Sequence, residues 1–258
     1  MLAEVTRDVG QSCEGIVFVI NERSVEPTQL AGRTSKTLIS AANGSGIITH
    51  NTAVFAEGHA PGHVHRVEDE VFFVNAGEGE VWIEGVPYGL RAGTAVHTAS
   101  ELVHNIHAAA PLHLLGFMVP HTVPGSYADV PPLSRDLDKP PENRASFVVY
   151  ADERSVPGEP RSELLATERV TVALVLASPG SDVTYGAYGR DLIVHVLEGG
   201  GEVRVVAPLT EGADGGDAGT VDAGSAILLT GDEVAVLSAR EDMRLLEVRA
   251  TEWAPARG

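Results

Sequence analysis

The chain has 258 residues, 43% of them hydrophobic, which suffices for two cores in units of about 130 residues each. Its formal net charge of −18, spread along the chain, argues against a phosphate-backbone partner, so no nucleic-acid binding is expected. The single cysteine, Cys13, excludes an intrachain disulfide and a zinc–thiolate cluster. Met1 to Gly10 has no apolar run of leader length, and the longest nearby, Ile16 to Ile20, falls far short of the ~20 residues of a membrane span. The expected setting is therefore the cytoplasm, with no membrane partner.

Short β-branched runs separated by Gly and Pro predict an all-β chain. In chain order, strands are expected near 16–20, 36–40, 47–56, 62–66, 70–75, 79–84, 94–97, 103–107 and 112–118. Turns are expected at Asn43-Gly44, Ala76-Gly77, Gly85 to Gly89 and Arg91 to Gly93. Val119 to Arg144 carries six prolines and predicts an extended surface linker, because proline cannot donate to a strand ladder. Beyond it, strands are expected near 146–150, 168–177, 182–187, 192–197, 201–206, 219–222, 226–229, 233–237 and 243–249, with a hairpin tip at Glu211 to Gly219. Closely spaced short strands with Gly turns indicate sandwiches or barrels.

The two halves echo each other. Glu22-Arg23-Ser24-Val25 returns as Glu153-Arg154-Ser155-Val156, 131 residues later. Gly77-Glu78-Gly79-Glu80-Val81 returns in looser form as Gly199-Gly200-Gly201-Glu202-Val203, 122 residues later. Two echoes in the same order predict a duplicated fold, divided as 1–125 and 126–258.

Nine of the ten histidines lie between His50 and His121. His63 and His65 are two apart, so on a strand they share a face with Cα atoms roughly 6–7 Å apart, a span from which two imidazoles converge on one ion. Glu70 follows a short polar turn and shares its face with Phe72 and Val74. His104 lies on a later strand. Three imidazoles and a carboxylate suit a divalent transition metal, with iron placed first and Mn, Ni, Co, Cu and Zn as alternatives. His97 and His107 are candidates for orienting a ligand or substrate, and equally for ordinary structural histidines. His50, His59 and His121 read as strand or loop residues, and His195 as part of a strand in the second half.

Gly58 to Glu70 followed by Gly77, with Gly85 through Gly93 to His104, resembles the two sequence motifs of the cupin superfamily. The first motif is complete. In the second, Arg91 stands where proline is usual and Thr94 where aspartate is usual. The resemblance implies two tandem cupin barrels, each a double-stranded β-helix or jelly roll. It also implies that His63, His65, Glu70 and His104 hold the metal. Carried across the repeat, these positions become Tyr185, Ala187, Leu192 and Ala235, so the second barrel is expected to bind no metal.

The four-ligand set is similar to that of quercetin dioxygenase-like cupins. It implies an oxidoreductase, a dioxygenase acting on a small enol, diketone or hydroxylated aromatic. In this reading Glu70 doubles as the catalytic group that takes a proton from a bound hydroxyl. The alternatives are an O₂-independent isomerase, cyclase or decarboxylase, or a binder of small molecules without catalysis. A small-molecule substrate and a homodimer complete the expectation. No helix-turn-helix and no Gly-x-Ser-x-Gly elbow is present, which argues against a transcription regulator and a serine hydrolase.

Overall fold

The structure is a computed structural model that describes residues 17–130, 147–156, 158–207 and 217–251. Cys13, most of the linker and most of the Glu211 to Gly219 tip lie outside the described residues. The described chain is built almost wholly of antiparallel strands arranged as two jelly-roll barrels, each of two facing sheets.

In the first barrel one sheet runs, in spatial order, Phe147–Tyr150, Thr94–Thr98, Asp69–Ala76, Leu112–Val119, Thr49–Phe55, Arg33–Ile39 and Thr28–Leu30. The facing sheet runs Tyr127–Val130, Gly62–His65, His104–Ala108, Glu78–Ile83 and Val86–Arg91. The second barrel repeats the plan. One sheet runs Phe18–Asn21, Ser225–Leu229, Leu192–Glu198, Met243–Ala250, Val170–Ala177 and Arg161–Ala166. The other runs Asp182–Gly186, Val234–Ala239, Gly200–Ala207 and Asp217–Asp222.

Period-two alternation decides what each strand buries. In Asp69–Ala76, Phe72 and Val74 point into the first barrel, while Val71 and Phe73 point outward. Leu112 and Leu114 likewise face inward, and Leu115, Phe117 and Val119 face outward. The outward faces are not wet. They meet Leu164, Leu174, Ile193, Leu246 and Val248 of the other barrel, forming a third core between the two. Glu70 shares parity with Phe72, so the same alternation turns its carboxylate inward.

Strand pairing crosses the expected division at residue 125. Phe18–Asn21 pairs with Ser225–Leu229 of the second barrel, and Phe147–Tyr150 pairs with Thr94–Thr98 of the first. Each exchanged strand runs into a short helical turn, Glu22–Ser24 or Ala151–Arg154. The turns dock on matching glycines. Glu22 N–H donates to the Gly224 carbonyl and Ala151 N–H to that of Gly93, both at 2.9 Å. Both glycines have positive φ, +88° and +86°, and a Cβ on Gly224 would approach Glu22 Cγ to 2.8 Å. The two exchanged strands are thus reciprocal, and the two Glu-Arg-Ser-Val segments fall at their ends two residues out of step, since Glu22 takes the place of Ala151 and not of Glu153.

Two expectations are corrected. The residues read as a turn at Gly85 to Gly89 form the strand Val86–Arg91, and the reversal occurs at Glu84 and Gly85, both with positive φ. Pro87 is accommodated because this strand is the edge of its sheet, where a missing N–H faces outward. The residues read as linker include Tyr127–Val130, an edge strand on Gly62–His65. Among the described residues no helix is long and apolar enough to cross a membrane.

Candidate metal centre

Three strands of the first barrel bring the four expected residues together. In Gly62–His65 both histidines point into the barrel and are about 5% exposed. His104 sits directly opposite His63 in the neighbouring strand. Glu70 arrives from the facing sheet. One ligand atom from each of His63, His65, Glu70 and His104 lies within 4.8 Å of the others. Ligands about 2.1 Å from one ion stand at most about 4.2 Å apart, so adjustments of about half an ångström close this set on a cation.

Glu70 Oε2 is the hub. It lies 2.7 Å from His104 Nε2, 3.7 Å from His65 Nε2 and 3.9 Å from His63 Nε2. Burial works to raise the Glu70 carboxyl, but hydrogen bonds from His104 and His63 and the nearby imidazole charges outweigh it. They hold the group well below the usual carboxylate range. Burial lowers His65 against the opposing pull of Glu70. An ionised carboxylate beside a neutral imidazole is the protonation state in which both can ligate.

Backbone contacts aim the rings. Leu102 carbonyl accepts from His104 Nδ1 at 3.0 Å, which turns Nε2 to the centre. Pro61 carbonyl does the same for His63 at 3.4 Å. Neither ring nitrogen of His65 has a hydrogen-bond partner among the described residues. A buried imidazole left without partners is costly, and a cation at the centre removes that cost for Nε2. The residues present therefore fit a divalent transition metal.

Glu68 is the counterpart on the far side of His65. It is fully buried, and its Oε1 accepts from Val123 N–H and from the Ser126 hydroxyl, both at 2.5 Å. Its Oε2 has no hydrogen-bond partner and stands 4.0 Å from His65 Nδ1. A small ring rotation makes this a carboxylate–histidine pair, anchored to the segment leading to Tyr127–Val130. Glu68→Gln keeps the Oε1 contacts and weakens that pairing. Metal affinity, measured by competition with a chromogenic chelator, is expected to fall about tenfold; unchanged affinity would remove Glu68 from the site.

Several residues at the site carry no signal in the sequence. Tyr127 stacks on His63 with ring centroids 5.1 Å apart, and its hydroxyl donates to Asp129 at 2.9 Å. Burial, with the Asp129 bond and charge, pushes its phenol up to about 12. Arg33, Ser35 and Asn51 line the cavity beside the metal quartet, with Phe55 and Phe72 as apolar wall. The Arg33 guanidinium lies over the Phe55 ring, 5.3 Å from its centroid.

The other histidines are elsewhere. His97 faces the inter-barrel side and bonds Asp69 at 3.0 Å, which also pairs with Arg169 of the second barrel at 3.1 Å. His107 stacks on His59, with ring centroids 3.8 Å apart, and neither lines the cavity of the metal quartet. His50 and His195 meet between the barrels, with Nε2 of the first 3.0 Å from Nδ1 of the second.

In the second barrel Tyr185 stands opposite Ala235, the same register that sets His63 opposite His104. Leu192 opens the strand equivalent to that of Glu70, and Tyr185, Ala187, Leu192 and Ala235 are all buried. Side chains of these types offer no imidazole or carboxylate to an ion.

Residues 52–119 match the family model described as cupin domain. Among solved structures, a tryptophan-to-tyrosine variant of oxalate decarboxylase from Bacillus subtilis aligns with TM-score 0.72 and 14% identity, over 95% of this chain and 79% of that one. Another structure of that enzyme, from work on its Mn(II) centres, aligns with TM-score 0.72 and 13% identity, over 96% and 80% of the two chains. Protein Ylba from E. coli aligns with TM-score 0.69 and 12% identity, over 93% of each chain. No curated protein matches by sequence. At such identities the likeness is one of fold, a cupin jelly roll, with the family match confined to the first barrel.

Proposed function

We propose that this chain is a metal-dependent enzyme acting without O₂ on a small carboxylate, by decarboxylation or a related proton-transfer reaction. The observation that carries this reading is the cavity beside the quartet. It has a volume of about 70 Å³ and a guanidinium, Arg33, in its wall. That is small against the several hundred Å³ of pockets that take drug-sized ligands. A small acid fits, and Arg33 is the group to hold its carboxylate.

His63, His65, Glu70 and His104 would hold the ion. When bound, the ion supplies Lewis acidity toward a carboxylate or enol oxygen of the substrate. Arg33 orients the substrate carboxylate, while Ser35 and Asn51 offer hydrogen bonds to its remaining oxygens. Phe55, Phe72, Ile106 and Leu114 keep water away, which strengthens each electrostatic contact. Glu70, kept ionised, is the nearest base for a substrate hydroxyl proton. The fold likeness to an oxalate decarboxylase is consistent with this class and carries less weight than the cavity.

A second reading, the dioxygenase, draws on the apolar wall, which would admit O₂. The two separate on one experiment. Protein loaded with Mn(II) or Fe(II) is supplied with two- to four-carbon carboxylates, with and without O₂, while CO₂ release and O₂ uptake are followed. Turnover independent of O₂ is expected; O₂ uptake in proportion to turnover would establish the dioxygenase instead. Arg33→Ala is expected to raise KM about tenfold or more with metal content unchanged. An unchanged KM would remove the carboxylate from the proposal.

A further inference from the structure

The second barrel carries Tyr185, Ala187, Leu192 and Ala235 at the positions of the candidate metal ligands, yet it has a pocket. A cavity of about 760 Å³ opens at its mouth, within the size range of small-molecule sites. Its walls include Arg161, Tyr185, Tyr188, Glu247 and Arg249. We propose that this cavity binds a small organic monocarboxylate with an apolar body, held by Tyr185, Arg161 and Arg249.

The pocket is placed as the metal pocket is. Arg161 is the first residue of its strand and faces Val175, as Ser35, two residues after Arg33 on the equivalent strand, faces Ala53. Tyr185 occupies the register position of His63. Each barrel thus sets an arginine across its mouth from the central group. In the first barrel that group is the metal quartet. In the second it is a phenol.

Tyr185 is 4% exposed, and its hydroxyl is buried without a hydrogen-bond partner among the described residues. Burial, reinforced by the Glu247 charge, pushes the phenol up, so the hydroxyl is a donor in need of an acceptor. Glu247 is not that acceptor, being engaged by the arginines. Its carboxylate accepts from Arg161 Nε and Nη2 at 3.2 and 3.1 Å, and Arg249 Nη2 lies 3.5 Å away. Arg249 also donates to the Gly186 carbonyl at 2.7 Å, which fixes its guanidinium.

Charge completes the case. Arg161 and Arg249 share the single carboxylate of Glu247, an excess of one positive charge within that cluster, on a chain whose net charge is −18. One carboxylate balances that excess and supplies the acceptor that Tyr185 lacks. Val175 and Val183 offer apolar wall to the rest of the ligand, and the exposed Tyr188 ring stands at the rim, its centroid 5.8 Å from the Arg249 guanidinium.

The test uses the full chain, stripped of metal by chelation, titrated with benzoate and hexanoate in a calorimeter, with benzyl alcohol as the neutral counterpart of benzoate. Binding of at least one acid is expected, with benzyl alcohol about tenfold weaker or more. Tyr185→Phe removes only an unpartnered hydroxyl, and Arg161→Gln alters a half-exposed side chain, so both should fold. Each is expected to weaken binding about tenfold. Failure of both acids to bind, or binding that neither substitution alters, would overturn the proposal. Because the protein is metal-free, these outcomes do not depend on the activity proposed for the first barrel.

Discussion

Protein purified without added metal is expected to carry about one transition-metal ion per chain, and His63→Ala with His65→Ala together to carry none. The four groups share one ion, so each single loss removes about a quarter of the binding free energy. For apparent site energies of about 10–16 kcal/mol at neutral pH, that is about 2.5–4 kcal/mol, a loss of affinity of roughly seventyfold to several hundredfold. His104→Ala and Glu70→Gln should both show it. Glu70→Gln is the sharper case, because it preserves shape and hydrogen-bonding reach while removing the charge to which all three imidazole Nε2 atoms are drawn. Elemental analysis and chelator competition measure the effect. Substitutions of Tyr185 and Ala235, at the corresponding register positions of the second barrel, are expected to leave metal content unchanged. A double His63, His65 variant that retains its full complement of ion would refute the site.

The quartet could be read from the sequence because its geometry is local. A His-x-His pair on a strand fixes parity, and Glu70 follows after one short turn. Only His104 required a longer step, supplied by the family resemblance. The remainder of the pocket was hidden for two reasons. Arg33 lies in a polar run without a catalytic motif, and nothing local says that the strand crosses the barrel mouth. Tyr127 lies among prolines that predict a linker. It is a strand because Gly62–His65 leaves an edge for it to pair with, a tertiary fact with no local signal. The duplication showed in Glu-Arg-Ser-Val only roughly, since that echo misses the register of the exchanged strands by two residues, and their exchange did not show at all. A strand that completes the other barrel has the same alternation as one that completes its own.

The core between the barrels carries a stability signature of its own. Lowering the pH of metal-free protein from 7 to 4 is expected to remove about 3 kcal/mol of stability through His50 alone. His50 is fully buried on Thr49–Phe55, stacked on Phe117 with ring centroids 4.2 Å apart. Its Nδ1 donates to the Gly116 carbonyl at 3.0 Å, so its Nε2 accepts from Nδ1–H of His195 across the interface. Both ring nitrogens of His50 are thus occupied, and neither can take another proton without breaking a bond. Burial drives the His50 pKa down to about 4 against the opposing Gly116 bond and Glu22 charge. Burial, with the charge of His50, takes His195 well below its usual value. The sign follows from which state takes protons first. As pH falls below about 6.5 the unfolded chain protonates these histidines while the folded chain does not, so stability is complete above that value and is lost on the way to pH 4. Carboxylates titrate little between pH 6.5 and 5, which isolates the histidine slope there. Urea midpoints across this window measure it. His50→Gln should lower stability at pH 7 and flatten the slope, and an equal slope in the wild type and the variant would show that the interface histidines are not its source.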